Sequence, residues 1–424
     1  MSIGPAFAAA RRRLGPFGQG PFAVYWTGGF VSNVGTWLQA VSGSVFVYDR
    51  TGSAFAVGVL NFATFLPVLL FSVIGGVLSD RFDRRAVIVV THAISATLGV
   101  VLALMTFGGV TTEVHLVAIA FALQTSAAIA KPCFTAMLPN LVSRAQLAEA
   151  VGLNTLQFMT AQLAGPVLAT VLLATAGFAW AFTINALTFI APIIAMTYLF
   201  RRGLGGAAPR QDERAASATP QGVAGYIRSQ PWIAWLLLGI VANSAVLEVI
   251  RTTAPVLVTQ RLGAPSSDTG LIVAAQSLGY ILGLLAFIPL RRRELGRPLA
   301  ALGFVCQAGG LLLVSLATAP IIAGVGVALV GAGFSLAFPV MTATLQAEVP
   351  DAVRGRLMSI HQIAHLGNRP FAAFAAGSLA AAFGVPAACL AAMILAPIGL
   401  LAMRSAWRRL DLTAGPVSAA AASV

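Results

Sequence analysis

Residues 54–78, AFAVGVLNFATFLPVLLFSVIGGVL, contain no charged side chain and end on Ser79-Asp80-Arg81-Phe82-Asp83-Arg84-Arg85. At about 1.5 Å per residue, a helix of that length crosses a hydrocarbon layer of about 30 Å. Backbone inside such a layer must satisfy its own hydrogen bonds, which a continuous helix does. The stretch therefore predicts a transmembrane helix closed by a charged loop, and the same punctuation recurs along the chain. Of 424 residues, 58% are hydrophobic and 9% charged, and the mean hydropathy is +0.88. Soluble proteins carry about 25% charged residues, so most of this surface is composed to face lipid.

Apolar runs bounded by charge, glycine or proline predict twelve spans. The first six are 22–48, 54–78, 85–107, 115–138, 148–175 and 178–200. The second six are 231–260, 269–290, 298–317, 320–345, 354–383 and 386–403. The expected fold class is an all-α membrane protein of two six-helix halves, 1–200 and 231–424, the second with a short cytoplasmic tail. Residues 201–230, rich in Gly, Ala, Pro and charge, read as a cytoplasmic linker. Pro67, Pro166, Pro255, Pro339 and Pro370 mark expected bends or breaks. The halves repeat: Pro21-Phe22-Ala23-Val24-Tyr25-Trp26 has a counterpart in Pro231-Trp232-Ile233-Ala234-Trp235. Val57-Gly58-Val59-Leu60 returns as Thr269-Gly270-Leu271-Ile272, and Pro139 as Pro350, all at nearly one offset. Parallel six-span repeats place a substrate site near mid-membrane.

The net charge of +13 comes from 26 basic residues, of which 21 fall in alternate loops. The intervening loops hold only Arg50 and Arg261. That asymmetry places both termini and the linker in the cytoplasm and makes the chain a multi-pass protein of the bacterial inner membrane. It also explains the charge as topology, with the lipid bilayer as partner and no nucleic acid. Arg11–Arg13 resemble the start of a signal peptide, but the run from Phe22 to Tyr48 is long enough to be a retained span. Lys131, the single lysine, follows Ala127-Ala128-Ile129-Ala130, so no phosphate-cradling G-x-x-x-x-G-K-[ST] is present and an ATP-driven pump is not expected. Cys133, Cys306 and Cys389 lie far apart and read as small buried hydrophobes. No metal site, cofactor or nucleophile–base set is expected, hence no enzyme.

Gly76-Val77-Leu78-Ser79-Asp80-Arg81-Phe82-Asp83-Arg84-Arg85 resembles the signature G-x-x-x-D-R-x-G-R-R of the major facilitator superfamily, with Asp83 in place of the second glycine. The ending D-R-x-D-R-R is similar to the enterobactin-exporter branch. So are Ser32-Asn33-Val34-Gly35-Thr36-Trp37 and Thr51-Gly52-Ser53-Ala54 running on to Leu66-Pro67. The resemblance implies a major facilitator fold with a cytoplasmic gate at Gly76, Asp80, Arg81, Arg84 and Arg85. Asp80 would cap the start of another span, and the arginines would pair with acids across the half interface when the cytoplasmic side is closed. The corresponding loop of the second half, Pro289 to Arg297, is degenerate, with Arg293 where Asp80 would fall. Gly165-Pro166 resembles the core of the antiporter motif G-x-x-x-G-P-x-x-G. Ala161 and Ala169 replace its flanking glycines, leaving close packing and a helix kink. Span four lacks the embedded arginine of many proton-coupled drug antiporters.

Polar groups within spans are costly and mark ligand or ion paths. Candidates for substrate binding or coupling are Asn33 and Gln39 in span one, Gln124 and Lys131 on one face of span four, and Gln157 in span five, beside Asn154 and Gln162. Span seven adds Asn243, Glu248 and Arg251. Span eleven adds a stripe of His361, His365 and Arg369, with Asn368 near the same face. Other readings stay open: a mutually satisfied Glu248–Arg251 pair, a snorkelling Lys131, and amides and histidines that only join helices. Lys131, Arg251 and Arg369 against one deep acid, Glu248, favour an anionic small molecule such as a catecholate or hydroxycarboxylate siderophore. The expected function is proton-motive-force-driven export of a siderophore-like or amphiphilic small molecule by alternating access. The proton is the expected coupling ion and the protein is expected to be a monomer. An importer or a multidrug exporter of the same fold, or a non-transporting receptor or scaffold, are the alternatives.

The loop asymmetry gives a direct test of orientation. Ala215→Cys should be shielded from an impermeant thiol reagent in intact cells and Ser266→Cys should be labelled. The reverse pattern would overturn the topology.

Overall fold

The computed structural model describes residues 15–206, 222–290 and 295–414. Arg11–Arg13, residues 207–221 of the expected linker and the Arg291–Arg293 cluster lie outside them. Every regular element among the described residues is helical. The helices of the first half are α1 (Gly20–Thr51), α2 (Ala54–Arg81), α3 (Arg84–Phe107), α4 (Glu113–Met137), α5 (Leu147–Thr175), α6 (Phe178–Thr188) and α7 (Ile190–Arg201). A short α8 (Gly222–Ser229) precedes α9 (Pro231–Val256), α10 (Thr269–Leu290), α11 (Gly296–Leu316), α12 (Pro320–Glu348), α13 (Asp351–Leu366), α14 (Arg369–Met393) and α15 (Leu395–Ala414).

Among the described residues, ten stretches are long and apolar enough to span a membrane. One of them, Val353–Leu412, is 60 residues, about 90 Å of helix against a core of about 30 Å. Gly384 divides it, at φ 82° and ψ 166°, where a side chain would be strained. That break lies between the expected eleventh and twelfth spans. The expected first span is α1, whose hydropathy is diluted by Ser32, Asn33, Thr36, Gln39, Ser42 and Ser44.

Local chemistry sets the helix ends. Gly52, at φ 61°, closes α1 and donates its N–H to Tyr48 O, and Ser53 at once caps α2 by accepting from Ala56 N. Asp83 caps α3, and Thr112 with His115 forms a capping box on α4. The proline expectations divide. The helices run through Pro67, Pro166 and Pro339, whereas Pro255 leads into a π-turn at Leu257–Arg261. Pro370 sits just past the break at Gly367–Asn368, because it has no N–H to offer Leu366 O. An additional break at Phe189 divides span six, upstream of Pro192, which for the same reason donates nothing to Thr188 O.

The chain forms two compact units, Met1–Gln211 with Ala264–Ala274, and Asp212–Gly263 with Ala275–Val424. In the first, α1 packs on α5, α6 and α7, while α4 lies between α2 and α3. Phe22, Ile88, Met137, Met196 and Leu199 fill one end of this unit. In the second, α9 packs against α14 and α15, and α11 against α12, around Trp232, Leu236, Phe304, Met341 and Trp407. The stretch Pro231–Arg261 is 72% buried, against 33–56% for the other spans. Polar groups on α9 are therefore the most secluded from lipid and water.

Close helix contacts depend on small residues. A Cβ added at Gly75 of α2 would lie 2.7 Å from Ile129 O on α4, while one at Gly76 would meet nothing within 4 Å. The motif glycine expected to matter, Gly76, is thus not the one at the contact. Gly75→Ala should cost about 1–3 kcal/mol and lower the melting temperature of the detergent-solubilised protein. Gly76→Ala should stay within about 0.5 kcal/mol of wild type. Equal effects would remove the packing argument.

Candidate functional site

The charged loop after α2 is an assembly within unit one. Asp83 Oδ1 accepts from Arg85 N at 2.9 Å, and Asp83 Oδ2 from Arg85 Nη2 at 2.6 Å. The guanidinium hydrogen bond holds the Asp83 carboxyl below the usual carboxylate range, against a smaller opposing effect of burial. Arg85 Nη1 also donates to Leu204 O at 2.8 Å, and its guanidinium lies 4.8 Å from the Phe200 ring centroid. Arg84 donates to Ala136 O at 3.0 Å and to Ser79 O at 3.3 Å. These carbonyls lie at or just past the C-terminal ends of α4, α7 and α2, where helix dipoles favour cations.

Within unit one the anion at a helix start is Asp83, while Asp80 is exposed in the last turn of α2 beside exposed Arg81. Arg84 and Arg85 hold helix ends of their own unit. The sequence signal for Asp83 was present, an aspartate directly before a new apolar periodicity. It was masked because the position was aligned with a glycine.

Unit one also brings its amides together in two places. Gln157, buried on α5, accepts from Asn33 Nδ2 at 3.3 Å and donates to Trp26 O at 2.7 Å. Gln39 Oε1 accepts from Asn185 Nδ2, and both are buried. That pair lines a small cleft shared with Thr36, Thr64, Gln124 and Phe189. Asn154 and Gln162 are half-buried on α5, and Lys131 is exposed on α4. Gly165 meets α1 closely; a Cβ there would lie 2.8 Å from Val34 O, with Pro166 buried beside it. Asn185 is the amide that sequence reasoning passed over, although it too stands inside an apolar run.

Glu248, Arg251 and Arg369 of unit two form a charged cluster. Glu248 on α9 is completely buried, and its Oε1 accepts from Arg251 Nη1 at 2.9 Å. Arg369 Nε, at the start of α14, is 3.5 Å from the same oxygen. Arg251 Nε donates to Gln276 Oε1 at 3.1 Å, and Gln276 Nε2 donates to Leu247 O at 3.2 Å. One helical turn away, Ser244 Oγ and His365 Nδ1 are 2.7 Å apart, and Thr342 Oγ1 is 3.0 Å from His361 Nε2. His365 also lies against Phe338, with 4.4 Å between ring centroids, and Phe334 and Tyr280 extend the row of rings.

The stripe on span eleven thus survives the break at Gly367–Asn368. His365 and Arg369 meet α9, and His361 turns toward α12. Asn243 does not join Arg251. It is fully buried and its side chain makes no hydrogen bond, while its carbonyl accepts from Gln307 Nε2 at 3.0 Å. Lys131 belongs to unit one. Gln276, Ser244, Thr342 and Gln307 were not singled out from sequence, because a lone hydroxyl or amide in an apolar run carries no periodic signal.

Apolar helices in two units, with ion-paired groups sealed inside one and an amide-lined cleft in the other, define a membrane transporter of the major facilitator type rather than an enzyme. Its fold is shared with the nucleoside transporter NupG, at a TM-score of 0.70 over 92% of this chain and 99% of that one, with 11% identity. The chain belongs to the transmembrane secretion effector family, whose pattern matches residues 12–420. It is 28% identical to the multidrug efflux pump Tap of Mycobacterium tuberculosis, over 86% of this chain and 89% of Tap. It is 24% identical to the staphyloferrin A transporter of Staphylococcus aureus, over 42% of this chain and 45% of that one.

Two arginines on one buried carboxylate predict a graded series of variants. Glu248→Gln removes the counter-charge of both and should cost about 3–5 kcal/mol. Adding Arg251→Gln should restore only part of that, since Arg369 still lacks its carboxylate. The triple change with Arg369→Gln should restore most of it. Thermal melting of purified protein reads the series. A fully restored double variant would exclude Arg369 from the cluster.

Proposed function

We propose that the protein is a secondary active exporter, driven by the proton motive force, of a siderophore-like or amphiphilic small molecule with anionic character. The observation that carries this is the convergence of Arg251 and Arg369 on a single oxygen of fully buried Glu248. A purely structural protein gains nothing from holding three charges so far from water, because a well-packed apolar set of similar volume would be as stable. The family's description as a secretion effector supports outward transport. The siderophore named for the staphylococcal relative and the resemblance of Asp80–Arg85 to the enterobactin-exporter branch support the substrate class.

In this proposal residues 1–200 and 231–424 are the two moving halves, with 201–230 as a cytoplasmic linker and both termini in the cytoplasm of a bacterial inner membrane. Alternating access carries the substrate, and the monomer is the working unit. Asn33, Gln39, Gln124, Gln157, Lys131 and Asn243 supply neutral or cationic contacts, and His361 and His365 polar and stacking ones. Proton coupling is the expected energy source.

A second reading, multidrug export, is favoured by the similarity to Tap over most of both chains. Everted membrane vesicles energised by respiration separate the two. The proposal expects concentrative uptake of 2,3-dihydroxybenzoate, a catechol carboxylate, abolished by a protonophore and reduced at least tenfold by Arg369→Gln. Accumulation of ethidium, a lipophilic cation, with no dihydroxybenzoate uptake would establish the multidrug reading instead.

A further inference from the structure

The small cleft of unit one is built without a charge. Its polar wall comes from Thr36 and Gln39 on α1, Thr64 on α2, Gln124 on α4 and Asn185 on α6, all within unit one. Phe189, at the break between α6 and α7, adds a ring. The remaining lining residues are alanines, leucines and Gly43, so no ionisable side chain is among them. Apolar walls with a few placed polar groups are the usual make-up of a small-molecule site.

The hydrogen-bonding capacity left over in this wall defines what it can hold. Thr36 Oγ1 donates to Ser32 O at 2.9 Å and Thr64 Oγ1 to Leu60 O at 2.8 Å. Both hydroxyls therefore keep only acceptor lone pairs. Gln39 Oε1 accepts from Asn185 Nδ2, which leaves the two N–H groups of Gln39 Nε2 without a partner among the described residues. Gln124 makes no hydrogen bond to a described residue, so its whole amide is open to a ligand. Unused donors and unused acceptors stand together. A carboxylate would use the donors but meet the threonine lone pairs, with no cation in the wall to offset its burial. An ammonium would find no carboxylate. A group that donates and accepts with no net charge, an amide or a hydroxyl, satisfies both sets.

Gly43 keeps space in the cleft. Other glycines of α1 sit at helix contacts: a Cβ at Gly28 would lie 2.9 Å from Ala195 Cβ, and one at Gly35 2.7 Å from Asn185 Oδ1. A Cβ at Gly43 would meet only the Leu116 and Leu60 side chains, each at 3.6 Å, which is ordinary contact. Alanine would fit there and would favour the helix more than glycine does. What it would remove is room, since Gly43, Leu60 and Leu116 all line the cleft. We propose that unit one carries a binding site of its own, in the cleft of Gln39, Gln124 and Gly43, for an uncharged amide- or hydroxyl-bearing group. The transported molecule docks its neutral part there. This rests on the exporter reading above and adds an uncharged hydrogen-bonding group to the substrate it names. Phe189 gives an aromatic ring next to that group a surface to pack on.

The test uses three probes of similar shape and different charge: benzamide, benzoate and benzylamine, the last protonated near neutral pH. Equilibrium dialysis reads their binding to the full-length protein in detergent. Wild type should bind benzamide. Gly43→Ala should melt at or above the wild-type temperature, weaken benzamide binding at least tenfold and leave any benzoate binding unchanged. Gln124→Glu, which puts a carboxylate in the cleft, should weaken benzamide and strengthen benzylamine severalfold. A Gln124 that only joins helices would not produce that exchange. In everted vesicles benzamide should inhibit 2,3-dihydroxybenzoate uptake at the concentrations at which it binds. Benzamide binding that is absent in wild type, or indifferent to both substitutions, would overturn the site. Binding as expected beside dihydroxybenzoate uptake that benzamide does not affect would overturn the docking of the transported molecule there and leave the exporter reading intact. Binding as expected with no transport at all would uphold the site and overturn the exporter reading.

Discussion

A charge inside a membrane must be answered by another charge or by dipoles, since water is not there to do it. In this protein that requirement is concentrated on one oxygen atom, Glu248 Oε1, which faces Arg251 of its own helix and Arg369 of α14. Much of unit two follows from satisfying it. α9 must be shielded from lipid on nearly all sides, and its span is more buried than any other. The helix that brings Arg369 must be interrupted there, and Pro370 supplies the break. Gln276 must hold the Arg251 side chain, and its own amide is in turn held by Leu247 O. Burial, kink and amide are parts of one electrostatic arrangement.

At the surface the same physics is used with the opposite economy. Arg84 and Arg85 are cations placed on carbonyls where helices end, so orphan acceptors and guanidinium groups satisfy each other. Asp83 starts the next helix and neutralises Arg85 in the same step. These contacts set the angle at which α3 leaves the loop and where α4 and α7 stop. A loop that sequence comparison reads as a gate is therefore, within unit one, a clamp on three helix ends.

The coarse fold was legible because lipid imposes a one-dimensional code. Apolar runs had to be helices, and their ends had to carry charge, so twelve expected spans correspond to helices with boundaries shifted by a few residues. Breaks were less legible. Proline marks a missing donor, but whether a helix bends, adopts a π-turn or breaks depends on what packs around the orphan carbonyl. Hence Pro67 and Pro370 behave differently. The site was legible where residues were charged, because Glu248, Arg251 and Arg369 stand out in any apolar run. Its neutral members, Gln276, Ser244 and Thr342, were not, nor was Asn185 of unit one. Their roles come from partners 19 to 146 residues away, which neither periodicity nor spacing encodes.

The two units answer polarity in different ways, and the difference bears on how such a repeat works. Unit one buries amides that satisfy one another, Gln39 with Asn185 and Gln157 with Asn33, and an amide pair has no net charge in any state. Unit two buries ions. A neutral hydrogen-bonding wall accepts many ligands weakly and changes little with voltage or pH. An ionic cluster discriminates by charge and gives the electric field something to act on. The degenerate loop from Pro289 to Arg297 belongs to the unit that kept the charges inside, and the intact charged loop to the unit that kept them at its edge.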